Sequence, residues 1–249
     1  MRSFGLIGKD LSHSFSETYF NRKFKELNIS DAKYKPYPMP DVNHLRELVD
    51  REKLVGFNVT IPFKVSIVDH LDELDHIAQQ VGAVNTVLVN QGKLKGYNTD
   101  VYGFKVSFQE LLQEDDKNAL VLGSGGASRA VCFVLHELGL NYLRASRFPE
   151  GGEIEYKSIT PDLLREYTVL INTTPLGMYP NEDKAPDLLY EHLSNKNYLF
   201  DLIYNPVRSR FLEFGEAKGA RTKNGAVMLE LQADKAWDIW NGIIDITSS

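Results

Sequence analysis

The stretch Ala119-Leu120-Val121-Leu122-Gly123-Ser124-Gly125-Gly126-Ala127-Ser128-Arg129 decides how the chain folds. Four apolar residues stop at Gly123, and apolar residues at helical spacing (Val131, Val134, Leu135, Leu138) follow Ser128. This order reads as a strand, a tight glycine turn and a helix N-terminus, which is what a dinucleotide site needs. Gly123 lets the backbone turn, Gly125 leaves no Cβ in the way of a pyrophosphate, and Gly126 lets the helix pack closely on the strand. The helix start offers unpaired N–H groups and the positive end of the helix dipole. The spacing Gly-x-Gly-Gly-Ala departs from the common G-x-G-x-x-G, but Gly139 stands where a C-capping glycine belongs.

Downstream of this stretch the pattern alternates. Strands are predicted at Asn141 to Ala145, Val169 to Asn172 and Tyr198 to Ile203, with helices from Thr160-Pro161 and from Ser209 to Lys218. Such βαβ periodicity implies a parallel sheet. Upstream, Ser3 to Gly8 reads as a buried strand and Ala32 to Met39, with two prolines, as an edge strand. Asp41 is expected to cap a helix using Val42, Leu45, Leu48 and Val49. Further predicted pieces are a helix from Glu73 to Gln80, a strand from Ala83 to Val89 interrupted by Asn85, a hairpin at Gln91-Gly92, and a helix from Val101 to Leu112. Pro62 reads as tolerated in the first turn of a helix, which puts Lys64 near an N-terminus where the dipole disfavours it. The last predicted helix, Val227 to about Ile243, carries Met228, Leu231, Trp237 and Trp240 and is expected to pack on the N-terminal domain. The fold class is therefore α/β, with two α/β domains and a cleft between them.

Composition narrows the functional classes. The 249 residues are 43% hydrophobic and 25% charged, with a formal net charge of −6. That balance argues against nucleic acid, whose binding needs clustered Lys and Arg. A single cysteine, Cys132, excludes an internal disulfide or a Cys-rich metal site and reads as a small buried apolar residue on the first turn of its helix. The histidines show no metal-ligand spacing, so no metal is expected. No apolar run approaches the length of a membrane span, and the N-terminus enters a strand at once, so the expected location is cytoplasmic.

Five segments carry a resemblance to one family. They are Ser12-His13-Ser14-Phe15-Ser16, Asn58-Val59-Thr60-Ile61-Pro62-Phe63-Lys64, Ala83-Val84-Asn85-Thr86, Gly96-Tyr97-Asn98-Thr99-Asp100 and the glycine loop itself. Together with Asn172 to Met178 and Asn224-Gly225 to Gln232, they resemble the shikimate dehydrogenases in the right order over nearly the whole chain. That family reduces 3-dehydroshikimate to shikimate, reversibly, with NADPH. The resemblance implies a substrate domain of residues 1–100 plus about 229–249 and a Rossmann-like NADP domain of residues 101–228. It places Ser14, Ser16, Thr60, Asn85, Tyr204 and Gln232 around the substrate, the two serines on its carboxylate. Lys64 and Asp100 flank the reacting oxygen, where a lysine can supply both a proton and a positive charge. Gly123, Gly125, Gly126, Ala127, Arg129, Arg147, Thr173, Met178 and Gly225 are implied at the cofactor.

The cofactor end departs from the family pattern, in which the strand after the glycine loop ends Asn-Arg-Thr. Here it ends Ala145-Ser146-Arg147-Phe148, with no acidic residue at the strand end for a ribose 2′-hydroxyl. Arg147 favours NADP, and NAD remains a weaker alternative. The alternatives in function are a quinate/shikimate dehydrogenase and a non-catalytic NADP-binding protein of the same fold. The expected partner is a small-molecule substrate, with the protein a monomer or homodimer.

Overall fold

The computed structural model describes residues 1–11 and 15–243, which form two compact units, Met1–Thr99 with Gln232–Ser249, and Asp100–Leu231. The first unit contains β1 (Arg2–Gly8), α1 (Phe15–Glu26), β2 (Ala32–Pro38), α2 (Leu45–Glu52), β3 (Leu54–Val59), β4 (Glu73–Leu74), α3 (His76–Val81), β5 (Thr86–Asn90) and β6 (Lys93–Tyr97). Its sheet has the order β2-β1-β3-β5-β6-β4. The β1 pairs with β2 and β3 are parallel, whereas β5 runs antiparallel to both β3 and β6.

Alternation along β1 builds two apolar layers. Phe4 and Leu6 enter an aromatic cluster with Phe20, Phe24 and Tyr34, while Ile7 joins Phe57, Val59, Leu45 and Leu48 on the other face. The proline-bearing β2 lies at the sheet edge, as expected of a strand with missing donors.

The second unit contains α4 (Asp100–Gln109), β7 (Asn118–Leu122), α5 (Gly126–Glu137), β8 (Asn141–Ser146), β9 (Ile154–Glu155), α6 (Pro161–Glu166), β10 (Val169–Asn172), β11 (Tyr198–Asp201), α7 (Arg210–Glu216) and β12 (Arg221–Lys223). All its strand pairs are parallel, in the order β12-β11-β10-β7-β8-β9. Helices cover both faces, as a parallel sheet requires. Phe104 and Phe108 of α4 pack on Tyr198 and Phe200, while Leu164, Phe211 and Leu212 of α6 and α7 meet Leu120, Leu170 and Leu199.

The final helix, α8 (Ala226–Trp240), starts in the second unit and passes into the first. Trp237 and Trp240 there pack against Phe4, and the Trp240 indole donates to the Val87 carbonyl at 3.0 Å. A Cβ on Gly56 of β3 would lie 2.4 Å from the Trp240 ring, so the strand needs glycine at that position. No helix among the described residues is long and apolar enough to cross a membrane.

Several elements differ from their sequence-based expectation. Asp41 accepts from the Asn43 amide in a turn ahead of α2, whose N-cap residue is His44. Glu73 and Leu74 pair with β6, so the predicted helix shrinks to α3, capped by the Asp75 side chain at the Ala78 amide. Asn85 stands just before β5 rather than within a longer strand, and β11 ends at Asp201, short of Ile203. The helix α5 begins at Gly126 rather than after Ser128, because the Ser128 amide already bonds the Gly125 carbonyl at 3.0 Å. Cys132 consequently sits in the second turn, where burial pushes its thiol up to about 11.

One helical hydroxyl stands out. Ser107 of α4 is fully buried and its Oγ finds no hydrogen-bond partner among the described residues. An unsatisfied buried hydroxyl costs about 1–3 kcal/mol. Ser107→Ala is therefore expected to raise stability by about 1 kcal/mol, measured as the urea unfolding midpoint. A loss of similar size would mean the hydroxyl contributes a bond.

Candidate active site

The conformation of Lys64 follows from how its main chain is tied down. Thr60, the first residue after β3, donates its amide to Ile7 at 2.9 Å and accepts from the Phe63 amide at 2.9 Å. The Lys64 carbonyl accepts from the Val84 amide at 2.7 Å, while the Val68 amide bonds Val65 instead. Lys64 therefore lies in a turn ahead of a short 3₁₀ helix at Ser66–His70, and Pro62 does not open a helix there. The helix-dipole cost expected at Lys64 does not arise. Thr60 and Lys64 are half-buried, and the tie to Val84 fastens the lysine beside the residue preceding Asn85.

Asn85 is 2% exposed and belongs to a chain of buried polar groups. Its Oδ1 accepts from the Thr99 amide at 2.7 Å, and its Nδ2 donates to the Thr99 hydroxyl at 2.9 Å and to Gln232 Oε1 at 3.3 Å. The chain runs on through Thr86, 3.2 Å from the Thr99 hydroxyl, to Asn58 Nδ2 at 3.0 Å, and from Asn58 Oδ1 to the Tyr34 hydroxyl at 2.8 Å. Burial raises the pKa of that phenol well above its ordinary value, an effect the Ser16 hydroxyl opposes. Two predicted residues, Asn85 and Gln232, thus belong to one network that fixes amide and hydroxyl orientations. Sequence reasoning gave no role to Tyr34, Asn58, Thr86 or Thr99; the available signal was a polar side chain inside an otherwise apolar strand. Ser14 lies outside the described residues. Through Thr99 the network also anchors the main chain immediately before Asp100, the first residue of α4, which is 4% exposed.

In the second unit the predicted cofactor residues gather at the carboxyl ends of the strands. Leu122 is level with Ala145 on β8 and with Asn172 on β10, so Gly123 and Thr173 leave the sheet side by side, next to Ser146 at the end of β8. The chain runs from β7 to β8 on one side, and β10 lies on the other. That is the topological switch point where open α/β sheets bind ligands. Gly123 has φ +109°, and a Cβ there would come 2.7 Å from the Thr173 hydroxyl, so a side chain is excluded twice. A Cβ on Gly125 would meet nothing within 4 Å, which leaves open space over the start of α5. Gly126 and Ala127 supply the first amides of that helix. The donor set and the open cradle fit a pyrophosphate.

Arg129, on the first turn of α5, and Arg147, just beyond β8, are both exposed. Ser146 holds the end of β8, its hydroxyl 3.2 Å from the Ser124 hydroxyl and 3.2 Å from the Phe148 amide. Phe148 itself is 81% exposed. Thr173 is fixed by its hydroxyl and amide, both on the Leu122 carbonyl at 2.7 and 2.9 Å. Met178 is partly exposed at the end of the same loop. Tyr204 is half-buried, and burial raises its pKa. The Gly225 amide donates to the Ile203 carbonyl at 3.0 Å, and a Cβ there would lie 2.2 Å from the Leu202 carbonyl oxygen. Gly225 is thus required by packing against the loop that carries Tyr204, whatever it contributes at a cofactor.

Comparison with known proteins gives a consistent picture. Residues 6–87 match the family model for the shikimate dehydrogenase substrate binding domain. A shikimate dehydrogenase (NADP(+)) of Clostridium beijerinckii is 41% identical, with 96% of this chain and 92% of that protein covered. The crystal structure of shikimate 5-dehydrogenase from Thermus thermophilus in complex with NADP(H) and shikimate is 32% identical and superposes with a TM-score of 0.85, covering 97% of this chain and 94% of that one. The shikimate 5-dehydrogenase of Listeria monocytogenes, in complex with shikimate and NAD, is 28% identical with a TM-score of 0.82, covering 97% and 92%.

Proposed function

Because the chain belongs to the shikimate dehydrogenase family, we propose that it reduces 3-dehydroshikimate to shikimate with NADPH, and runs the reverse oxidation with NADP. The observation that carries this reading is similarity to NADP(+)-dependent members along 96% of the chain. NADPH, when bound, supplies the hydride; one proton from the protein or water completes the alcohol. The first unit supplies Ser14 and Ser16 on the carboxylate and Thr60, Asn85 and Gln232 around the ring, and the second unit supplies Tyr204 near the carboxylate. Lys64 compensates the charge that grows on the ketone oxygen and provides its proton, and Asp100 orients both lysine and substrate hydroxyls. Gly123, Gly125, Gly126 and Ala127 hold the pyrophosphate, with Arg129, Arg147, Thr173 and Met178 along the rest of the cofactor.

The direct test is nicotinamide absorbance on mixing the protein with shikimate and NADP, with parallel wells for NAD and quinate. A fast rise with shikimate and NADP supports the reading, and no rise in a folded sample refutes it. A rise with quinate alone favours the quinate/shikimate alternative. The single arginine kept at the end of β8 makes the NAD well informative.

Arg147 carries its own prediction. A guanidinium hydrogen-bonded to a 2′-phosphate contributes roughly 1.5–3 kcal/mol. Arg147→Ala is therefore expected to weaken NADP binding by about ten- to a hundredfold, with NAD hardly affected. Equal losses for the two cofactors in titration calorimetry would remove the phosphate contact from the assignment.

A further inference from the structure

Asp201 closes β11 with a side chain that is fully buried and accepts three hydrogen bonds. Its Oδ1 takes the Ile203 amide at 3.0 Å and Asn172 Nδ2 at 3.0 Å, and its Oδ2 takes the Ser209 hydroxyl. The three donors come from three different segments. Ile203 precedes Tyr204. Ser209 caps α7 through the Leu212 amide. Asn172 closes β10, where its Oδ1 accepts from the Thr174 amide at 3.0 Å and the Thr174 hydroxyl at 2.7 Å, and its Nδ2 also reaches the Leu176 carbonyl at 3.3 Å.

Thr173 to Met178 and Ile203-Tyr204 are the two loops that leave adjacent strands at this edge, with Asn172 level with Asp201. Neither loop has a sheet or helix ladder of its own; main-chain bonds join them only from Leu202 to the Asn172 carbonyl at 3.0 Å and from Tyr179 to the Asn205 carbonyl at 3.4 Å, and between those two points side chains set their relative position. The bond from Asn172 to Asp201 joins the two strand ends directly, side chain to side chain. From this geometry we infer that Asp201 and Asn172 are positioning residues that lock the Thr173–Met178 loop to the Tyr204 loop, and so set the geometry in which cofactor and substrate meet. The inference rests on the proposed reaction, and it gives Asp201 and Asn172 a role through the loops they hold.

The acceptor pattern predicts which substitutions matter. Asp201→Asn keeps a carbonyl oxygen where Oδ1 stands and turns the bond to Ser209 round, so that the amide donates to the hydroxyl oxygen. Asp201→Ala loses all three bonds, and Asn172→Ala loses the cross-link together with the Thr174 turn. Steady-state kinetics and equilibrium NADP binding should be measured on the full chain, with far-UV circular dichroism and a thermal melt establishing the folded fraction. Asn172→Ala and Asp201→Ala are expected to raise KM for NADP and shikimate, and Kd for NADP, by ten- to a hundredfold per folded molecule, while Asp201→Asn stays within about threefold of wild type.

A folded Asn172→Ala with wild-type KM and Kd would overturn the inference, leaving the network a purely structural role visible only in the melt. Equal impairment of Asp201→Asn and Asp201→Ala would also overturn it, since charge and not bond geometry would then be what matters. If Asp201→Ala fails to fold, Asn172→Ala alone decides. Turnover of shikimate by the wild type tests the function itself, so the two failures are told apart.

Discussion

Lys64→Ala is expected to lower kcat by roughly 10²–10⁴ while leaving the affinity for shikimate within a few-fold. Hydride arriving at the ketone carbon pushes charge onto the oxygen, and that charge is small in the ground state. A proton donor with positive charge at the oxygen therefore acts mainly on the transition state, which is the condition for raising kcat. At about 1.4 kcal/mol per factor of ten, the expected loss corresponds to about 3–5.5 kcal/mol. The substitution should not disturb the fold, because what fixes this turn is the main-chain bond from Val84 to the Lys64 carbonyl, and the side chain is only half-buried. Stopped-flow and steady-state rates, measured at saturating NADP, give kcat and KM separately. A variant that turns over within threefold of wild type would remove Lys64 from the chemistry. A variant whose KM rises while kcat holds would move the lysine from the reacting oxygen to uniform binding.

The parts of the molecule that could be read from sequence are those where the backbone itself restricts the residue. Gly123 must be glycine because φ is +109° and Thr173 crowds its Cβ position, and this leaves a visible mark in the chain. Fully buried parallel strands such as Val169–Asn172 also read directly, since both faces demand apolar residues. Side-chain partnerships at long sequence separation leave no such mark. Arg221 pairs with the buried Asp116 through two bonds of 2.9 Å across 105 residues and lies 5.3 Å from the centre of the Tyr198 ring, yet in the sequence Asp116 is one charged residue in the run Glu114-Asp115-Asp116-Lys117. The Tyr34–Asn58–Thr86–Thr99–Asn85 chain is illegible for the same reason. Each member is an ordinary residue in or just beside a strand until the sheet order puts β2, β1, β3, β5 and β6 side by side. The catalytic assignments came from the family resemblance and not from spacing; spacing alone supported only a nucleotide loop and a lysine in an unusual place.

Asp201 should also make stability depend on pH in a direction opposite to that of a salt-bridged carboxylate. Two effects compete at this side chain. Burial disfavours the carboxylate, and the Ser209, Ile203 and Asn172 donors favour it; burial wins and raises its pKa from 3.8 to about 7. A carboxyl whose folded pKa lies above the unfolded value binds its proton more tightly when folded. Its contribution to stability is therefore complete below about pH 3.8 and is lost progressively as pH rises through about 7, beyond which the loss is constant. A shift of about three pKa units corresponds to about 4 kcal/mol. Asp201→Asn has no proton to lose, so it should gain on wild type by up to about 4 kcal/mol between pH 4 and pH 8. Urea unfolding of both proteins at several pH values measures that difference directly, and carboxylates elsewhere cancel because both chains carry them. A difference that stays flat would mean the three donors fully offset the burial. A wild type that gains on Asp201→Asn as pH rises would reverse the balance, making the ionised carboxylate the form the fold prefers.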